Sequence, residues 1–197
     1  MRYPADQKAR ARDALLRAGT RSLKTSGFHG VGVDGLAAAA GVTSGAFYSN
    51  FPNKTAMLEA VIDAGLGEPF VSETDSATTS EGRAALIALL EEYISIGHSL
   101  DPADGCVMPA LSADVARAEP PVKAAYQRKM TALVSRIAEL LDGEQSDRQR
   151  RAWSIVALMV GSLVISRGMP EQSDIRSAPL DSARSTATAL IDVDAES

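Results

Sequence analysis

Thr43, Ser44, Gly45, Ala46, Tyr48, Ser49, Asn50 and Lys54 fall within a dozen residues. As a set they suit hydrogen bonding to a polyanion and to flat polar edges rather than bond-making chemistry. Thr43 and Ser44 can donate or accept, and Ala46 can touch a thymine methyl, which is how side chains read bases in a major groove. Gly45 has no side chain to hold a backbone off. Tyr48 offers an aromatic body with a hydroxyl suited to a phosphate. Lys54 stands where a helix is expected to begin, and there a cation opposes the helix dipole. A phosphate at that end would satisfy the lysine and the free backbone N–H groups together.

The rest of the chain gives catalysis little to work with. It holds one cysteine, Cys106, and two histidines, with no loop suited to an oxyanion, no glycine-rich phosphate loop and no metal-spaced His/Cys cluster. The expectation is therefore no enzyme, no cofactor and no metal. Cys106 follows Asp104-Gly105 at an expected helix start, where the dipole would favour a thiolate. A thiol-based redox or electrophile sensor is the chemistry that this allows, and a Cys106-dependent enzyme is its more distant rival. A buried thiol packing as a small hydrophobe is the plainer reading.

The elements that must position the polar set are short helices. Leu36, Ala37 and Ala40 form one apolar stripe, and Gly41 then stands where helices commonly stop in a left-handed residue. Val42 can plug the space between two helices, and Thr43 or Ser44 can cap the next. That helix, Ser44 to Asn50, turns Phe47 and Phe51 the same way. Pro52 stops it, and Asn53 can cap a helix from Lys54. Two helices joined by a short glycine-containing turn make a helix-turn-helix, whose second helix enters the DNA major groove. A longer helix from about Ala5 to Ser26, ended by Gly27, precedes them with Leu15, Ala18, Gly19 and Leu23 on one face.

Charge is distributed to match. The 197-residue chain carries a formal net charge of -5, yet residues 1–60 hold eight basic groups against four acidic ones. A basic head on an acidic body is the footprint of a phosphate-binding surface. Arg2, Lys8 and Arg10 are further candidates for the DNA backbone or minor groove. A charged N-terminus without a signal-peptide core, a single cysteine and no apolar run of about 18 residues suit a cytoplasmic chain that does not cross a membrane.

With these residues in view, Gly27-Phe28 and the run from Val33 to Lys54, with its LA, AGVTSGAFY, NF and final K, resemble the TetR/AcrR family of bacterial transcriptional regulators. The resemblance covers roughly residues 8–60. It implies an all-α fold, with a three-helix DNA-binding head (residues 1–53) and a C-terminal helical effector-binding and dimerisation domain (residues 54–197). It also implies a homodimer on a palindromic double-stranded DNA operator, more often as a repressor released by a small molecule. Three departures stand out. Val31 and Gly32 occupy places where the family usually has hydroxyls, Gly35 lies inside the first helix of the motif, and Asn50 replaces an aromatic or histidine. A protein-interaction adaptor that has lost DNA is the alternative that these departures raise.

Beyond Lys54 a helix is expected to about Phe70, then a polar loop over 72–82. Helices follow over Arg83–Ser99, Cys106–Arg117, Val122–Leu141 (after a stop at Glu119-Pro120-Pro121), Asp147–Gly168 (capped by Ser146) and Leu180–Ile191. The helix from Asp147 is apolar on most sides. Trp153, Val156, Val160 and Val164 form one stripe, with Ile155, Leu158, Ser162 and Ile165 opposite. Such a helix needs burial on most sides, and a second copy of the chain, meeting it over about 147–168 and 180–191, is the simplest partner. Tyr93, His98, Met108, Leu111, Trp153 and Met159 are candidates to line a largely apolar effector cavity.

Overall fold

A computed structural model describes residues 5–67, 70 and 79–192. Arg2 and most of the expected polar loop, residues 72–78, lie outside the described residues. Among the described residues there are ten α-helices and no strand: α1 (Ala5–Gly30), α2 (Val33–Ala39), α3 (Ser44–Asn50), α4 (Lys54–Gly65), α5 (Thr79–Tyr93), α6 (Ile96–Leu100), α7 (Val107–Ala116), α8 (Pro120–Glu139), α9 (Gln145–Arg167) and α10 (Ala178–Ile191). They divide into two compact units.

The first unit comprises the chain through Leu66 together with residues 102–128. Leu15, Leu36, Ala37, Phe47, Phe51 and Met57 form its core, with Val31, Val33, Ala40 and Val42 packed around them. Val42 therefore does plug the helix-turn-helix. Gly41 adopts φ +68°, the left-handed conformation that glycine reaches without steric cost. α1 and α4 approach closely because Gly19 has no side chain: a Cβ there would lie 2.0 Å from Met57 Cε. Thr43 caps α3 by accepting from the Ala46 N–H (3.2 Å), and Asn53 caps α4 by accepting from the Ala56 N–H (2.8 Å). Gly32 opens α2 with no side-chain cap.

The boundary of this unit differs from residue 53, where the sequence suggested it. α4 carries Met57 into the α1 core, and α7 is tied to α1 by polar bonds. Arg21 pairs with Asp104 (2.5 Å), and Lys24 donates to the Gly105 carbonyl (2.6 Å). At Gly27 (φ 69°, ψ 172°) α1 kinks, which strips the Phe28 N–H of its helical acceptor. Asp114 of α7 accepts that N–H at 3.0 Å.

Two helix ends in or near this unit differ from the sequence reading. α4 stops at Gly65, not Phe70, because Leu66 leaves helical geometry. α8 begins at Pro120, so the two prolines open a helix where a stop was expected; a first turn has no use for their missing N–H groups. Pro109 lies in the first turn of α7, where its missing N–H costs no helical bond, and Cys106 caps that helix.

The second unit comprises residues 67–101 and 129–197. The single helix expected over Arg83–Ser99 is two, α5 and α6. Ser95 breaks it by accepting from the His98 N–H (3.2 Å), while His98 Nδ1 lies 2.7 Å from the Tyr93 carbonyl oxygen. Arg167 then donates to the carbonyls of His98 (2.8 Å) and Ser99 (3.3 Å), closing the end of α6. α9 starts from Glu144, and Ser146 lies inside it rather than capping it.

The interior of this unit is partly polar. Arg151 is 1% exposed. Its Nε donates to Asp147 (2.7 Å), Nη1 to the Leu190 carbonyl (2.8 Å) and Nη2 to the Asp142 carbonyl. Arg83 works beside it, on Asp142 Oδ2 (2.5 Å) and the Ile191 carbonyl (2.9 Å). Two arginines thus close the last turn of α10, whose carbonyls lack helical partners. Bonds from Arg150 and Arg151 hold the Asp147 carboxyl below its ordinary range.

Candidate nucleic-acid interface

α3 divides cleanly into an inner and an outer side. Phe47 and Phe51 are buried, while their neighbour Tyr48 is 58% exposed and meets Phe47 edge-on at 5.5 Å. Thr43, Gly45 and Ser49 are exposed, and Ser44, Ala46 and Asn50 are half-buried. All seven DNA-contact candidates of this stretch therefore lie on or next to one short helix, and the structure brings them together.

Several are already engaged within the chain. Ser44 donates to Asp34 of α2 (2.5 Å), and Ser49 donates back to the Gly45 carbonyl (2.9 Å). The Asn50 amide donates to Ala46 O (2.8 Å), which turns it along its own helix rather than outward. Lys54 differs most from its sequence reading. Its ammonium donates to the carbonyls of Phe28 (2.6 Å) and Val31 (3.0 Å) and lies 4.3 Å from the Phe28 ring centroid. Those carbonyls offset the unfavourable helix dipole, so Lys54 fastens the end of α1 to α4 without any phosphate.

The positive charge of the head survives this engagement. Lys54 bonds neutral carbonyls, as does Arg12, which reaches the Asn50 carbonyl (3.0 Å) and lies over Phe51 at 4.4 Å. Lys8 and Arg17 are exposed. Sequence reasoning missed two participants. Asp34 lies ten residues from Ser44 and Arg12 lies 38 residues from Asn50, so no local spacing announces either contact.

The effector candidates are not gathered within one unit. Met108 and Leu111 are buried in the first unit; Tyr93 and Met159 are buried and His98 half-buried in the second. Trp153 is 48% exposed, so it does not line an interior cavity of its own unit. A groove of about 180 Å³ in the second unit is lined by Ser135, Ala138, Glu139, Gln145, Arg148 and Gln149, none of them expected. Cys106 is half-buried, and its sulfur accepts from the Met108 N–H at 3.4 Å.

Among the described residues the fold is all-helical, with a capped helix-turn-helix at its front. Residues 15–61 match the bacterial regulatory proteins of the tetR family. The fold is similar to that of the reduced form of NemR from E. coli (TM-score 0.74, 20% identity, 94% of this chain and 98% of that one). It is also similar to a TetR-family transcriptional regulator from Cytophaga hutchinsonii (0.76, 19%, 94% and 94%). A third similar structure is FadR from Bacillus subtilis in complex with stearoyl-CoA (0.68, 15%, 91% and 97%). No curated protein sequence matches. Residues 15–61 thus carry a TetR-type N-terminal helix-turn-helix domain, and the fold over most of the chain is that of TetR-family structures. No described helix is long and apolar enough to cross a membrane.

Proposed function

We propose that the protein is a homodimeric repressor that leaves a palindromic operator when a small, largely apolar effector binds. The observation that carries this reading is the outward apolar row on α9. Ile155, Val156, Met159 and Leu163 are buried, yet Trp153 (48%), Val164 (48%) and Ile165 (54%) stay exposed. Large apolar groups left in water on one long helix support burial by a second copy. Two heads about 34 Å apart would then read successive major-groove faces. FadR's complex with stearoyl-CoA supports an apolar effector by analogy alone. Moving operator occupancy from 1:99 to 99:1 asks the effector to discriminate between states by about 5.5 kcal/mol.

The test selects the purified protein against a random DNA pool and then measures affinity at two salt concentrations. A palindromic consensus, steep salt dependence and a dimer in solution that Trp153→Glu splits into monomers support the reading. A monomer at micromolar concentration, or a consensus without two-fold symmetry, overturns the dimeric part. No enrichment at low salt favours the adaptor instead.

Cys106 supports a second reading, a thiol-sensing regulator. Its sulfur caps α7 through the Met108 N–H, so oxidation would change the group that holds that helix start. Operator affinity unchanged by mild peroxide in the wild type, or changed equally in Cys106→Ser, removes this reading.

A further inference from the structure

We infer that Asp34, held by Ser44, is a specificity-determining residue that selects cytosine in the operator. The inference rests on the DNA-binding reading of the helix-turn-helix and adds a base to it.

The argument begins with proton counting. Ser44 Oγ lies 2.5 Å from Asp34 Oδ1. A carboxylate has no proton to give, so the hydroxyl must donate its only one. An ionised acceptor makes such a bond short and strong, so the proton stays there rather than turning to another partner. What the pair can still offer is lone pairs alone: the second carboxylate oxygen of Asp34 and the remaining acceptor capacity of Ser44 Oγ. Asp34 is exposed and Ser44 half-buried. The pair bridges α2 to the start of α3, beside Gly45, Ala46 and the exposed Tyr48.

An acceptor-only pair distinguishes the four bases in the major groove. Guanine presents N7 and O6, both acceptors, and thymine presents O4 with a methyl group, so each sets lone pair against lone pair. Adenine presents its N6 donor beside an N7 acceptor, which a carboxylate leaves unmatched. Cytosine presents the N4 donor and no competing acceptor, and it is the base that acidic side chains accept from. The same carboxylate repels phosphates. It is one of only four acidic groups among the first sixty residues, so it lowers affinity for every sequence unless a base amino group repays it. Ser44 is then a positioning residue: it fixes one carboxylate oxygen and leaves the other outward.

The experiment selects wild type, Asp34→Ala, Asp34→Asn and Ser44→Ala against the same random DNA pool and compares base preference position by position, with thermal unfolding as a folding control. In the wild type one position of each half-site prefers cytosine. Asp34→Ala weakens that preference about tenfold while raising affinity for unrelated DNA. Asp34→Asn, whose amide can donate as well as accept, moves the preference at that position towards adenine. Ser44→Ala keeps cytosine but blunts the preference, and it keeps the test open if changes at Asp34 disturb folding. A base profile unchanged in both Asp34 variants, with affinity shifted equally for all sequences, overturns the inference and leaves the DNA reading intact. Failure of the wild type to enrich any sequence overturns the DNA reading, and this inference falls with it.

Discussion

The helix-turn-helix and the end of the second unit are held together in opposite ways. In the head an apolar core of Leu15, Leu36, Phe47, Phe51 and Met57 is dressed by caps that act over three residues, Thr43 on Ala46 and Asn53 on Ala56. In the second unit a buried guanidinium, Arg151, gathers the turn after α8, the first turns of α9 and the end of α10. The first design spreads its stability over many small local terms. The second concentrates it in one buried guanidinium that has few substitutes, because removing it leaves carbonyls of two separate segments without their donor.

The largest test of that contrast is Arg151→Ala. It should cost about 2–5 kcal/mol, since it leaves two part-buried carbonyls without their donor at about 1–3 kcal/mol each; urea unfolding followed by circular dichroism would measure it. A loss below about 1 kcal/mol would mean that Arg83 alone suffices to hold the end of α10. Next comes Asp114→Ala, which leaves the Phe28 N–H without its acceptor and should cost about 1–3 kcal/mol. That change probes one of the places where the first unit also relies on a long-range polar tie. Thr43→Ala should cost only about 1 kcal/mol, the usual worth of a hydroxyl cap, measured by the same unfolding curves.

The smallest effect expected is one of pH. Asp147 has its folded-state pKa held below its ordinary value of 3.8 by Arg150 and Arg151. Its contribution is therefore complete above that value and is lost as pH falls through the lower, folded-state one. Wild type should lose stability in that acid window, and Asp147→Asn should flatten the corresponding arm of the stability–pH curve. An unaltered acid arm would show that the charge on Asp147 matters little to the Arg151 cluster.

The same contrast explains what could be read in advance. Gly41, Val42, Asn53 and the paired Phe47 and Phe51 were legible because each acts on neighbours one turn away. The positions of Arg151 and Arg83 were not, since their acceptors lie up to 108 residues off. Arg83–Ser99 read as one amphipathic helix because periodicity runs through Ser95, and only the capping bond to His98 reveals the break. Lys54 was noticed for its awkward place against a helix dipole. The carbonyls that settle it come from the kink at Gly27, a tertiary event no local pattern encodes. In the interface, the types of residue on α3 were visible, but the bond that pairs Ser44 with Asp34 was not.

Gly19 has a consequence for how this sequence can drift. The volume missing from α1 at that position is filled by the Met57 methyl of α4, so the two sites share one allotment of space. An alanine at 19 has to push that methyl, the far end of a flexible side chain, out of the seam. A shorter side chain at 57, such as valine, removes the need, so the effects of changes at the two positions are coupled rather than additive.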